Sequence, residues 1–291
     1  MGAQLLQYLF SGLTVGSAYA LAAIGFTLIY NASRVINFAQ GEFIMLGGVL
    51  AAYLVHTGVP MLLAWVAALL APAFIGMLIE KLAIEPVRTE EPVPLIIVTI
   101  GVSLLLRGLI QIWLGTSTLT LPPLSGHQPI NVLGATILPQ SLWVLSVTAS
   151  VAGALWLFFH RTLEGKAMLA TAINRKAADM VGIDTRRILL LSYGLSGALG
   201  ALGGLLITPI SMTSYDVGIM LGLKGFAGAI VGGLGSPMGA IIGGLIVGLV
   251  EALGAGYVSS AYKDVFPFAL ILLFLFFRPQ GLLGGKSTER V

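Results

Sequence analysis

The chain has 291 residues, of which 57% are hydrophobic and 9% charged, with a mean hydropathy of +0.98; this excludes an ordinary soluble domain, in which about a quarter of residues are charged. The formal charge of +3 would suggest nucleic-acid binding in a soluble protein, but in a membrane protein it follows from the bias of Lys and Arg toward the cytoplasm, so no nucleic-acid partner is expected. The absence of Cys excludes disulfides, thiolate metal sites and Cys nucleophiles.

Apolar runs long enough for a hydrocarbon core of about 30 Å recur from end to end. The first, 5–30, is too long for a signal-peptide core and is expected to remain as a span. The others are 36–56, 60–82, 94–114, 142–160, 188–210, a Gly-rich stretch over 217–253, and 265–277. If the Gly-rich stretch forms two short spans or half-helices, the sequence predicts an all-α, polytopic bundle of about eight or nine spans. We expect residues 1–291 to form a single transmembrane domain.

The distribution of charge predicts the topology. Six of the fifteen Lys and Arg residues lie in the loop 161–187, and such a loop stays cytoplasmic because Lys and Arg resist translocation. The loop 115–141 contains no Lys, Arg, Asp or Glu and is predicted to be exterior. Because an odd number of spans precedes the basic loop, we expect a periplasmic N terminus and a cytoplasmic C terminus.

A polar interruption follows the first span, at 31–42. The apolar run after it, 43–56, would extend only about 21 Å and cannot cross the core alone. Either residues 37–42 are also helical and enter the bilayer, or a discontinuous helix directs its N-terminal amides at a cavity suited to an anionic or zwitterionic solute. A helix that starts at the membrane interface with Glu42 in its first turn is the alternative. The candidate pathway residues are Asn37, Gln40, Gly41 and Glu42.

A second interruption, Gly-Gly-Leu-Gly-Ser-Pro at 232–237, divides the Gly-rich stretch. A helix break at membrane depth persists only where it is buried in protein or lines a cavity. An ordinary cytoplasmic turn between two spans explains the same residues equally well. Gly232, Gly233, Gly235 and Ser236 are therefore a second set of candidate pathway residues.

Small residues at four-residue spacing predict close helix contacts, since they let backbones approach in lipid. The predicted packing residues are Ser196, Gly200, Gly204, Gly239 and Gly243. Ionisable residues at membrane depth are costly and count as functional candidates. Arg107 and Glu251 are two such residues, and snorkelling to the interface is the alternative for both.

No catalytic constellation is evident. The three His residues lie in separate segments, and the sequence has no G-x-x-x-x-G-K-[ST] motif. We therefore expect neither an enzyme nor a cofactor, and any ATP-driven process would need ATP bound by another chain.

The basic loop contains an amphipathic pattern. Leu169, Ile173, Ala177 and Met180 fall on one side of a predicted helix, which either docks into a groove on a partner or lies on the membrane surface.

Several motifs together carry a resemblance. Gly165-Lys166-Ala167, followed by Ala170, Asn174, Ala177 and Val181-Gly182-Ile183, resembles the coupling loop of permease subunits in branched-chain amino acid ABC importers. The segments 12–30, 36–42 (INFAQGE) and 224–237 are similar to the LivH-type member, and the match extends over nearly the whole chain.

This resemblance implies an all-helical, multi-pass inner-membrane subunit that passes Leu, Ile, Val or a similar amino acid. Its implied partners are a second, LivM-type permease, two cytoplasmic ATPases, a periplasmic amino-acid-binding protein and membrane lipids. It also implies one cytoplasmic coupling helix, with ATPase contacts at Leu169, Ile173, Asn174, Ala177, Met180, Gly182 and Ile183. Related sugar permeases have a broken helix where 37–41 falls, which favours the discontinuous helix there. A secondary transporter, which would need a coupling carboxylate or an inverted repeat, and a permease for another small polar solute are the alternatives.

Overall fold

A computed structural model describes residues 2–87, 91–126 and 128–284. The first half contains α1 (Gly2–Ser33), α2 (Gln40–His56), α3 (Met61–Ile79), which a π-helical turn (Glu80–Ile84) continues, and α4 (Pro92–Leu114). A hairpin of β1 (Ile130–Val132) and β2 (Ala135–Ile137) precedes α5 (Pro139–Arg161). The second half contains α6 (Leu163–Ile173), α7 (Arg175–Met180), α8 (Thr185–Ser211), α9 (Val217–Gly232), α10 (Pro237–Tyr257), a 3-10 turn (Ser260–Tyr262) and α11 (Val265–Phe277).

Six of these elements are long and apolar enough to cross a bilayer, namely α1, α3 with its π-helical turn, α4, α5, α8 and α10. The helices α9 and α11 are shorter and also apolar, and α2 has 17 residues. The predicted all-α polytopic bundle is confirmed. The Gly-rich stretch indeed forms two helices, α9 and α10.

The centre of the bundle is built from α1, α8 and α10. The side chains of α1 are buried from Ser17 to Ile29, and α10 packs antiparallel against it through Gly244 and Gly248. The helix α8 lies against α1, α2 and α3. By contrast, α4 and α5 expose much of their apolar surface, so they lie at the periphery of the chain.

The predicted packing residues lie at contacts between helices of this chain. Gly204 meets the backbone of α2 at Ile44, and Gly200 lies against the Phe43 side chain. Gly239 and Gly243 both meet the backbone of α9. Small side chains let these helices approach closely, which supplies packing contacts in lipid.

Two hydrogen-bonded contacts define one end of the bundle. The Gln7 side chain accepts a hydrogen bond of 2.7 Å from the amide of Thr136 in the hairpin. Leu119 and Thr213 pair through their backbones. The start of α1, the segment 115–138 and the α8–α9 connection therefore lie together. The hairpin turns at Leu133 and Gly134, which both have positive φ, as a two-residue hairpin loop requires.

The opposite end collects the basic loop and the other connections. The Arg34 guanidinium donates to the Ala172 carbonyl, and the Asn31 side chain donates to the Gly235 carbonyl at 2.9 Å. The chain after α11 donates two backbone hydrogen bonds of 2.9 Å to the last carbonyls of α9, which otherwise lack partners at a helix end. The uncharged and the basic loops thus lie at opposite ends.

We expect Ser117→Cys to react with an impermeant thiol reagent on intact cells and Lys166→Cys to react only after permeabilisation. Both side chains are exposed, they lie at opposite ends of the bundle, and the natural chain contains no competing Cys. Equal labelling of the two variants on intact cells would contradict the predicted orientation.

Candidate solute pocket and coupling surface

The helix α2 begins inside the bundle rather than at its surface. Arg34 ends α1 in the left-handed region, at φ 61°, and the following residues turn back between the helices. The Gln40 side chain, at the start of α2, lies beside Ser196, about 16 Å along α8 from its first residue. Asn37, Gln40 and Glu42 are each at most 1% exposed. The start of α2 is thus buried within the bundle, and a discontinuous helix at membrane depth stays a prediction.

Two of the predicted pathway residues hold this helix start in place. Gln40 donates to the Ser196 carbonyl at 3.2 Å, and the Ser196 hydroxyl contacts both Gln40 Oε1 and the Gly25 carbonyl. The Asn37 side chain accepts from the amide of Ala39 at 3.1 Å. Gln40 therefore joins α1, α2 and α8, and Asn37 shapes the connection.

Glu42 forms a buried polar cluster with two residues of α4. Ser103 donates to Glu42 Oε1 at 2.7 Å, and the Arg107 guanidinium lies 3.3 Å from the same oxygen. The second carboxylate oxygen of Glu42 and Nε of Arg107 are buried and have no hydrogen-bond partner. Arg107 is thus paired inside the bundle and does not snorkel to the interface.

This cluster lies in a partly open pocket of about 160 Å³ between α2, α4 and α9. Gly41, Gly218 and Gly222 line it where α2 and α9 cross. An aromatic wall is formed by Phe26, Phe38 and Phe226, in which the ring of Phe226 lies 5.5 Å from that of Phe26 and 6.0 Å from that of Phe38. The pocket therefore offers two opposite charges beside an apolar surface.

The second set of predicted pathway residues lies elsewhere. Gly232, Gly233, Gly235 and Ser236 form the turn between α9 and α10 at the end of the bundle that contains Asn31. Gly218 and Gly232 are about 20 Å apart along α9, so this set does not meet Glu42. The geometry is that of a turn between two helices at one end of the bundle.

A second buried cluster joins α1, α9 and α10. Lys224 Nζ lies 2.7 Å from Glu251 Oε1 and 2.6 Å from Asp264 Oδ1, and the Tyr19 hydroxyl donates to Glu251 Oε2 at 2.8 Å. Glu251 therefore pairs inside the protein rather than reaching the interface. Since Lys224 bridges Glu251 of α10 and the partly exposed Asp264 before α11, the cluster ties these elements to α9.

The basic loop forms two short helices, which corrects the single coupling helix of the prediction. The side chain of Asn174 ends α6 and caps α7, because its Oδ1 accepts from the amide of Ala177 at 3.0 Å. A side-chain acceptor at that position starts a new helix. Met168, Thr171 and Ala178 face the bundle, and they are each at most 6% exposed.

The outer side of these two helices carries exposed apolar residues among charged ones. Ile173 is 82% exposed and Met180 is 87% exposed. Leu169, Asn174, Ala177 and Gly182 are exposed too, and Ile183 is half-buried. Leu163 and Val181 add exposed apolar surface. They were not among the predicted contacts. All predicted contact residues except Ile183 are thus exposed.

Sequence reasoning missed Ser103 and the three phenylalanines of the pocket. Their positions on α1, α4, α9 and the connection before α2 gave no local signal. Within the described parts of the chain, no group of three or more His, Asp or Glu residues could hold a metal ion.

The structure is a polytopic bundle with a charged pocket beside a helix that starts in its interior. A loop of two short helices with exposed apolar residues lies at one end. These features together are those of a membrane permease subunit. The chain belongs to the family of branched-chain amino acid transport system permease components, whose model matches residues 8–275.

The chain is similar to named relatives over almost its full length. It is 35% identical to the high-affinity branched-chain amino acid transport system permease protein LivH of Escherichia coli K12, which covers 98% of this chain and 97% of the relative. It is also 35% identical to BraD of Pseudomonas aeruginosa, with 98% of both chains covered. The ribose import permease protein RbsC of Escherichia coli K12 is 28% identical, and the match covers 91% of this chain and 83% of that protein.

Proposed function

We propose that this chain is the permease subunit of an ATP-driven importer that moves branched-chain or similar amino acids across the inner membrane. The observation that carries the proposal is the apolar outer surface of α6 and α7, in a chain that belongs to a branched-chain amino acid permease family. This surface would receive the motion of cytoplasmic ATPases.

The surface lies beside charged groups rather than among the lipid-facing side chains of the spans. Arg187 pairs with Glu164 at 3.1 Å, and both side chains are partly exposed. Contiguous apolar residues in such surroundings mark a protein interface. Docking on a cytoplasmic ATPase is therefore favoured over a helix that lies on the membrane.

Hydrogen bonds also connect this surface to the helices that carry the pocket. The Arg34 guanidinium binds the Ala172 carbonyl of α6, and Arg34 begins the connection that leads to Glu42. On the other side, Thr185 of α8 donates to Asp179 of α7 at 2.7 Å. A displacement of α6 and α7 would thus act on the start of α2 and on α8 together.

The remaining partners follow from this assignment. A second related permease would complete the pathway, two cytoplasmic ATPases would bind the α6–α7 surfaces, and a periplasmic amino-acid-binding protein would deliver the solute. The N terminus would be periplasmic and the C terminus cytoplasmic. Uptake assays with leucine and with ribose would separate this function from that of a permease for another small polar solute.

We expect Ala177→Asp to reduce ATP-driven leucine uptake by about tenfold or more, because an unpaired charge in an apolar contact is costly. Ala177 is exposed in the first turn of α7, where a carboxylate suits the helix, so the permease should still fold and insert. The measurement is co-purification of the ATPases, together with ATP hydrolysis stimulated by the loaded binding protein.

The matched control is Ala177→Ser, which is small and uncharged and should retain uptake. Full co-purification and full stimulation in Ala177→Asp would show that this surface is not the ATPase contact. Uptake by the permease without any ATPase would favour a secondary transporter.

A further inference from the structure

We infer that the pocket between α2, α4 and α9 binds the amino acid in transit, with its ammonium group at Glu42, its carboxylate at Arg107 and its apolar side chain against Phe26, Phe38 and Phe226. This inference rests on the proposed function and assigns the residues that recognise the solute.

The carboxylate of Glu42 has the free capacity that an ammonium group needs. Its Oε1 is engaged by Ser103 and Arg107, whereas Oε2 is buried without a partner. An unpaired buried carboxylate oxygen is unfavourable. The three N–H donors of an ammonium group would satisfy it while balancing the charge.

Arg107 has the complementary free capacity. A guanidinium carries five N–H donors in a planar fork, and here Nε is buried without a partner while the side chain as a whole is 23% exposed. Carboxylates bind such a fork in two-point fashion. The two opposite charges lie 3.3 Å apart. They can therefore pair with the ammonium and the carboxylate group of one α-amino acid zwitterion.

The glycines of the pocket leave space beside the buried free oxygen of Glu42. A Cβ added at Gly218 would lie 3.1 Å from Glu42 Oε2, in the space that an approaching ligand atom needs. A Cβ at Gly222 would lie 2.7 Å from Gly41 and would push α2 and α9 apart. Glycine at these positions thus permits the helix crossing and leaves room for a ligand atom beside the carboxylate.

The aromatic wall suits an apolar amino acid. The wall supplies apolar surface beside the charges of Glu42 and Arg107, in a pocket of about 160 Å³. A sugar has hydroxyl groups on all sides and no charge, so it could hydrogen-bond the two free charged atoms but would supply no counter-charge to either.

The pocket opens to the outside of the chain between α4 and α9. Leu104 is 58% exposed at its rim and Ile219 is 38% exposed. An ion pair that faced hydrocarbon would be costly, so the opening is expected to face the translocation path that a second permease would close.

The first test blocks the opening. In the complete complex in proteoliposomes, Leu104→Trp should reduce [14C]leucine uptake at least tenfold. Leu105→Trp is the matched control, since Leu105 is 61% exposed on the same helix and does not line the pocket. Hydrolysis stimulated by the leucine-loaded binding protein should persist in both variants, which shows that the complex is assembled.

The second test changes the chemistry. Glu42→Gln should lower leucine uptake by about tenfold, the effect of losing a hydrogen bond to a charged group. Phe226→Ala should change the ratio of leucine to alanine uptake delivered by the same binding protein, which a purely structural role would leave unchanged. Unaltered uptake in Leu104→Trp and Glu42→Gln would overturn the assignment of the pocket. Absence of ATP-driven leucine uptake by the unaltered complex would instead overturn the proposed function.

Discussion

Lys224→Met is expected to destabilise the protein by about 3–5 kcal/mol, the cost of breaking a buried ion pair from one side. Lys224 is 5% exposed and contacts Glu251 and Asp264. Without it, Glu251 keeps only the Tyr19 hydroxyl, and a carboxylate remains in the bundle without a counter-charge. The measurement is equilibrium or thermal unfolding of the purified permease in detergent.

Two further variants make this result specific. Lys263→Met removes an exposed lysine next to Asp264 and should change stability by less than about 0.5 kcal/mol, as is usual for surface substitutions. Adding Glu251→Gln to Lys224→Met removes the stranded charge and keeps an acceptor for Tyr19, so it should recover part of the loss. If Lys224→Met and Lys263→Met unfold alike, the buried cluster does not hold α9 and α10 in place.

Gly204→Ala is expected to cost about 1–3 kcal/mol, the usual effect of overpacking. A Cβ at this position would overlap the Ile44 carbonyl of α2 and lie 3.0 Å from the Gly48 amide. Both neighbours are backbone atoms, so the two helices have to separate. Because α2 carries Glu42, leucine uptake should fall together with stability.

The adjacent residue provides the control. A Cβ at Gly203 would lie 3.5 Å or more from its neighbours, at ordinary contact distances, so Gly203→Ala should be tolerated and should even gain from the lower flexibility of the unfolded chain. Equal stability of the two variants would contradict the backbone contact between α2 and α8.

The small-residue repeats predict that a helix face is packed closely, but not which helix packs against it. The spacing of Ser196, Gly200 and Gly204 predicted a close contact along one face of α8, since periodicity is a local property. Which helix meets that face is not encoded locally. The structure places α2 there and sets α9 against Gly239 and Gly243.

The basic loop contains a helix-start signal that the prediction of a single helix did not use. Asn174 precedes a short helical pattern, as an N-cap residue does, and it divides the predicted helix in two. The apolar periodicity across 169–180 predicted one continuous helix instead. The apolar residues Ile173 and Met180 are exposed in the structure, and their contact with an ATPase stays a prediction.

The sequence by itself determined the membrane class, the helical spans, the opposite placement of the basic and uncharged loops and the polar interruption at 31–42. These features depend on composition, run length and charge within short segments, where lipid leaves the chain few choices. Tertiary structure alone decided the pocket and the second charged cluster. Glu42 lies 61 residues from Ser103, and Lys224 lies 27 residues from Glu251. The cost of isolated charge in lipid implies that each needs a partner, but only helix packing selects which one it meets.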